Sequence, residues 1–208
     1  VFITVGTNIN GKIEYGFSYG NAKQVFKNHL NQALVIPNIV PSIILDCTSN
    51  DFKSRFCSRI GSKYLFTNSS NLKEYLERKL IEQCGNIYDN YYKLFFIGEE
   101  YTTSEGNVNG FSYGNSKFGV YFKGHNESTI AHEIMHAMNL PHTFASVDQG
   151  TLLAKFTYEA GQTNNIMDYS HWPSFGNKPR ITTYHWQWRV INSKILDLHR
   201  GMGFINRL

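Results

Sequence analysis

Nothing in the sequence approaches the run of about 18 consecutive apolar residues that a membrane-spanning helix needs. The longest candidates are short, such as Ile43 to Leu45 and Leu94 to Ile97, so a membrane partner is not expected. Proline is scarce at 5 residues, and with 17 glycines this excludes a collagenous or Pro-rich tract. There is no run of five or six basic residues. The 20 Lys and Arg are scattered among 16 Asp and Glu, leaving a net charge of +4, so a nucleic-acid partner is not expected either. Cysteine is rare, and the 3 present, Cys47, Cys57 and Cys84, cannot all pair within one chain or match a zinc or redox spacing. A Cys47 to Cys57 bridge and free buried thiols both stay open. Val1 is not a Met and no basic-then-apolar leader opens the chain, which reads as a mature or excised segment.

What is present is core material. With 208 residues, 41% of them apolar and 15% aromatic, the chain is expected to fold as one domain, or as one domain split by a cleft. Val1 to Val5 suits a strand, and Asn21 to Leu34 places Ala22, Val25, Phe26, Leu30 and Ala33 on one helical face ahead of Pro37. Ser42 to Asp46 is a short strand and Lys93 to Ile97 a buried one. Between them Asn71 to Cys84 reads as a helix, with Asn71 and Glu74 as a capping pair and Leu72, Tyr75, Leu76 and Leu80 as the apolar stripe. Glu74 faces Arg78 along it, and Gly85 is the stop. Strand, helix, strand, helix, strand argues for an α/β sheet with helices packed on it.

Lys117 to Lys123 alternates strictly, with Phe118, Val120 and Phe122 on one face and Lys117, Tyr121 and Lys123 on the other. Lysines on the second face suit an exposed edge strand. Asn126 or Ser128 then caps the next helix. One oddity precedes it: Gly16 to Lys23 and Gly110 to Lys117 are identical at seven of eight positions, GFSYGNAK against GFSYGNSK. Their flanks diverge too fast for a repeat architecture, and two similar Gly-bounded turns are favoured over a shared functional loop.

The capped helix carries the chemistry. His132-Glu133-Ile134-Met135-His136 is an H-E-x-x-H pentapeptide, which on a helix puts two imidazoles on one face with about 5 to 6 Å between their Cβ atoms. That spacing lets both rings close on one zinc ion, and a catalytic site wants a third protein ligand and an open position. His142 follows six residues after His136, where a continued helix would carry it to the opposite face. The helix must therefore stop, and Asn139 can end it in the left-handed conformation while Pro141 prevents its continuation.

HEIMHAMNLPH, His132 to His142, resembles the extended metzincin zinc signature, and NNIMDYS, Asn164 to Ser170, resembles its Met-turn. The family has Gly where this chain has Asn139. The resemblance implies one catalytic zinc on His132, His136 and His142, Glu133 as the proton-handling residue, and Met167 as the apolar base under the metal. Tyr169 stands where some members place a tyrosine that reaches the zinc or the developing oxyanion. His142-Thr143-Phe144 with Asn165-x-Met167-Asp168-Tyr169 is similar to pappalysin-like members. Trp186-Gln187-Trp188 is similar to metallopeptidase domains at the ends of bacterial polymorphic toxins and secretion-system effectors.

The implied fold is a twisted, mostly parallel sheet with an antiparallel edge strand and backing helices. Residues 1–208 would form one catalytic domain, with an upper subdomain 1–139 and a smaller lower one, 140–208, holding the Met-turn and a C-terminal helix. Tyr184 to His199 suits that helix, with Tyr184, Trp188, Ile191, Ile195 and Leu198 on its packing side, Gly201 as its stop, and its Trp pair in the core.

The expected activity is that of a zinc endopeptidase, its extended polypeptide substrate lying along Lys117, Phe118, Gly119, Val120 and Tyr121 as an added strand. A zinc amidase acting on cell-wall cross-links would use the same ion and glutamate. A non-catalytic module stapled by zinc would have no use for Glu133, although His125, His171 or His185 could close its metal shell. Ala145 to Thr163 and His171 to Arg180 are expected to shape the pocket. A secreted protease and a toxin delivered into a target cell share these residues, and a pro-segment or an immunity protein fits either.

Overall fold

The computed structural model describes residues 1–144 and 157–201. The chain is a mixed α/β fold with two sheets and five helices among the described residues. In the larger sheet β3 (Ile43–Cys47), β1 (Phe2–Thr7), β6 (Lys93–Ile97) and β10 (Phe118–Tyr121) run parallel in that order. β9 (Gly110–Ser112) adds antiparallel to β10, and the short β2 (Glu14–Tyr15) pairs with the end of β1. The smaller sheet joins β4 (Cys57–Ile60), β5 (Lys63–Phe66), β7 (Tyr101–Thr103) and β8 (Gly106–Val108).

Both faces of the larger sheet are buried, which is why its central strands read as nearly continuous apolar runs. The side chains of Phe2, Leu94, Phe96 and Tyr121 share a core with α1 (Ala22–Gln32), α4 (Glu127–Ala137) and α5 (His185–Gly201). Ile3, Val5, Phe95, Val120 and Phe122 point the other way, into a core with α2 (Asn50–Phe56) and α3 (Leu72–Cys84). The second core is rich in aromatic rings, Phe52, Phe56, Phe66 and Tyr75 packing with centroids 5.1 to 6.1 Å apart. No helix among the described residues is long and apolar enough to cross a membrane.

The strands and helices expected over the first hundred residues are present, and the stripe Leu72, Tyr75, Leu76 and Leu80 is buried as expected. α2 and the smaller sheet were not foreseen. Three expectations are corrected. Lys117 to Lys123 is not an edge strand: β10 lies between β6 and β9, and all four of its residues are buried. Its second face holds Gly119 and Tyr121 rather than lysines, and Tyr121 lies beneath α4 and donates its hydroxyl to Ile130 O at 3.1 Å. A Cβ on Gly119 would come within 2.8 Å of that hydroxyl, so the glycine makes room for the ring. Lys117 and Lys123 stand just outside the strand ends, and the edge belongs to β9.

The Asn71–Glu74 capping pair does not form, because Asn71 sits in the left-handed region at φ 60° without a side-chain cap. Arg78 pairs with Glu82 and Asp51 instead of Glu74. All three cysteines are free, which closes the question of a Cys47 to Cys57 bridge. The two GFSYGN copies also take different forms: the first leads into α1 and the second makes β9. Each begins with a glycine pressed on a sheet carbonyl, since a Cβ at Gly16 or Gly110 would lie 1.7 Å from Phe96 O or 2.9 Å from Val120 O.

Candidate metal centre

α4 is fixed at both ends by local sequence. Asn126 accepts from Thr129 N at 3.0 Å while Thr129 Oγ1 accepts from Asn126 N at 3.4 Å, a reciprocal capping box. At the other end Asn139 takes φ 71°, donating its N–H to His136 O at 2.8 Å, and Leu140 donates to Met135 O at 2.9 Å. These two bonds form a Schellman cap with Asn in the place usually held by Gly. The chain therefore reverses where the sequence requires it to.

That reversal brings His142 back to the helix. His136 Nε2 stands 3.1 Å from His132 Nε2 and 3.1 Å from His142 Nε2, and the three imidazoles form the one group among the described residues able to hold a metal ion. His132 Nδ1 lies 2.7 Å from Ile166 O and His136 Nδ1 2.7 Å from Leu140 O. A carbonyl can only accept, so these Nδ1 atoms carry the protons and the Nε2 lone pairs face inward. Facing lone pairs repel unless a cation lies between them, and tetrahedral zinc at its usual Zn–N distance would space such nitrogens about 3.3 Å apart. The donor set thus fits a metal such as zinc, and the carbonyls supply the outer hydrogen bonds that hold metal-bound imidazoles in place. Burial, with the facing His142 adding to it, holds His136 down to about 3, and burial also lowers His132, so both rings stay neutral and able to bind metal in mild acid.

The segment Asn164 to Ser170 is built into the same framework. Buried Met167 donates its N–H to Asn165 Oδ1 at 2.9 Å and accepts from Thr143 N at 3.2 Å, one residue after His142. Asn165 and Gln187 exchange amide hydrogen bonds of 2.9 and 3.1 Å, tying the turn to α5. Asp168 is fully buried and accepts from Gly161 N, Thr163 N, Thr163 Oγ1 and Tyr169 N at 2.6 to 2.8 Å. The Tyr169 ring stands edge-on to His142 at 4.7 Å and stacks on the exposed Trp172 at 4.5 Å, while burial pushes its phenol up to about 12.

Glu133 opens onto a cavity of about 380 Å³ that it shares with His132, Tyr169, Trp172 and Arg180. Ser112 of β9 donates to Glu133 O at 2.6 Å and lies 3.3 Å from Glu133 Oε2, so the sheet edge is fastened beside the carboxylate. Burial pushes Glu133 up to about 7, opposed by the Ser112 hydroxyl and by the positive charge of Arg180.

Sequence reasoning singled out His132, His136, His142, Glu133, Met167 and Tyr169; the structure groups the three imidazoles, places His132, Glu133 and Tyr169 on one cavity, and bonds Met167 O to Thr143 N next to His142. Sequence reasoning put the neighbouring strand at 117–121, whereas β9 at 110–112 lies against Glu133. The alternation in 117–123 was a stronger signal than three residues of β9 could give. Of the histidines considered as a fourth ligand, His125 is engaged with Phe122 O at 2.6 Å, His171 lines the cavity wall and His185 packs on Trp188. Trp186 is buried in the core as expected. Much of Ala145 to Thr163 lies outside the described residues, but His171 to Arg180 does supply cavity wall. Ser112, Trp172, Arg180 and Gln187 lay within segments the sequence marked out, but nothing in those segments singled out these side chains. No known family model matches the chain, and no curated protein matches it.

Proposed function

We propose that this chain is a zinc-dependent endopeptidase of the metzincin kind. The observation that carries the reading is the convergence of three Nε2 atoms beside a partly buried glutamate at an open cavity. Zinc, when bound, supplies a Lewis acid that polarises a carbonyl and makes water a better nucleophile. His132, His136 and His142 would hold it, the tautomers of His132 and His136 set by backbone carbonyls. Glu133 follows His132 directly on α4, and a carboxylate there serves as the base that takes a proton from the attacking water and passes it to the leaving amine. Ser112 orients that carboxylate. β9, rather than Lys117 to Tyr121, is the strand beside which an extended substrate gains main-chain hydrogen bonds. Buried Met167, whose carbonyl accepts from Thr143 N next to His142, would supply the apolar base beneath the metal, and the Tyr169 ring lines the cavity wall. A metal group of three protein ligands among the described residues favours an open catalytic site over a closed structural one.

The test pairs elemental analysis of the purified chain with cleavage of an unfolded protein. The expected result is one zinc per chain and cleavage that stops with a chelator and in Glu133→Ala, whose zinc content is unchanged. Full activity in Glu133→Ala, or cleavage indifferent to chelation, would overturn the reading.

A further inference from the structure

Arg180 is 5% exposed, yet among the described residues its side chain donates only to the neutral Ser128 hydroxyl, from Nε at 3.2 Å and from Nη2 at 2.7 Å. Among the described residues it forms no ion pair. Asp168 is committed to its four donors, Glu133 is held by Ser112, and Glu127 lines only the cavity on the other side. Glu133 and Asp168 lie near enough to favour its charge but neither is paired with it, and a buried guanidinium with no carboxylate bonded to it is an unfavourable arrangement for stability alone. The location adds to this. Ser128 belongs to the first turn of α4, whose free N–H groups make a positive end that favours anions and disfavours a cation.

Arg180 forms part of the wall of two cavities, the cleft with His132 and Glu133 and a second space of about 600 Å³ lined also by Lys178. His171 lines both as well, and its Nδ1 is buried without a hydrogen-bond partner. An unpaired guanidinium fork, a helix N-terminal turn and an unsatisfied imidazole nitrogen therefore meet at one end of the cleft.

We propose that Arg180 is a specificity-determining residue that binds a carboxylate of the substrate close to the scissile bond. The proposal rests on the peptidase reading above. A planar guanidinium suits a carboxylate because two parallel N–H donors can meet its two oxygens. The carboxylate can come from an acidic side chain or from the end of a peptide chain, and the same chemistry serves both.

The experiment digests a library of proteome-derived peptides with the zinc-loaded wild type, Arg180→Gln and the charge-retaining Arg180→Lys, each checked for zinc content and circular dichroism. Product ends are then sequenced by mass spectrometry. Enrichment of Asp and Glu at one fixed position identifies a side-chain carboxylate, and cuts at a fixed distance from peptide C-termini identify a terminal one. For a peptide pair differing only in Glu against Gln, or in free acid against amide, the kcat/KM ratio is expected to fall about ten- to a hundredfold in Arg180→Gln, and less in Arg180→Lys. An unchanged ratio overturns the proposal, as does an equal fall for both members of the pair.

Absence of any cleavage by the wild type counts against the peptidase reading, and binding then decides the fate of the subsite. N-acetylglutamate, with N-acetylglutamine as control, is titrated into the same zinc-loaded proteins by calorimetry. Weakening of the glutamate derivative by about tenfold in Arg180→Gln supports the carboxylate site. Equal affinity for wild type and variant, or no binding to the wild type, overturns it.

Discussion

His136 Nε2 is equidistant, at 3.1 Å, from His132 Nε2 and His142 Nε2, with the opposite ring nitrogens of His132 and His136 engaged by backbone carbonyls. The inward lone pairs of His132 and His136 are a repulsive arrangement that a cation relieves, so metal binding should stabilise the fold. Zinc at a hundredfold excess over its Kd is expected to add about 2.7 kcal/mol and raise Tm by several degrees. His136→Ala should abolish that rise and take zinc content well below one per chain. Calorimetric melts with zinc and with a chelator check this, and a Tm unmoved by zinc would count against the site.

Asn139 holds a left-handed conformation at φ 71° that swings His142 back to the helix. Asn139→Gly is expected to be neutral or slightly stabilising, whereas Asn139→Ala should cost about 1 kcal/mol, because a Cβ without a local polar partner is strained there. Zinc affinity should fall in the Ala variant only. Urea melts and competition with a chromophoric chelator measure both quantities.

Four donors converge on the Asp168 carboxylate, which has no exposure to water. Asp168→Ala strands them and should cost about 3 kcal/mol or more. Asp168→Asn keeps one acceptor and should cost less. Denaturant unfolding of the two variants at neutral pH gives the comparison. Equal stability of wild type and Asp168→Ala would show that the network does not hold the turn at Asn164 to Ser170.

Glu133 must be ionised to accept a proton, so kcat/KM is expected to fall as pH drops through its pKa. Burial raises that pKa and the Ser112 hydroxyl lowers it. Ser112→Ala removes the lowering contact, so the acid limb of the pH profile should move to higher pH. Loss of rate without movement of the limb would assign Ser112 a purely structural role.

The parts of the site visible in the sequence were those built from near neighbours. Two histidines four residues apart, a cap before them and a left-handed residue after them follow from helix geometry alone, as does the return of His142. The segment Asn164 to Ser170 stood out through a resemblance of its motif, and the bond from Met167 N to Asn165 Oδ1 within it is local. Strand β10 misled because alternating residues suit an exposed edge and a strand buried on both faces alike. Only the glycine at 119 hinted that a neighbouring Tyr121 needed space beneath α4.

By itself the sequence determined the helix, its ends, the three imidazoles and their glutamate, since each depends on backbone geometry over a few residues. Tertiary structure alone decided that β9 is the sheet edge, that Ser112 meets Glu133 across 21 residues, and that Gln187 of α5 bonds Asn165 across 22. It alone brought Arg180 to Ser128 across 52 residues. Such contacts depend on which elements pack together, and packing is set by the burial of two whole sheet faces rather than by any local spacing.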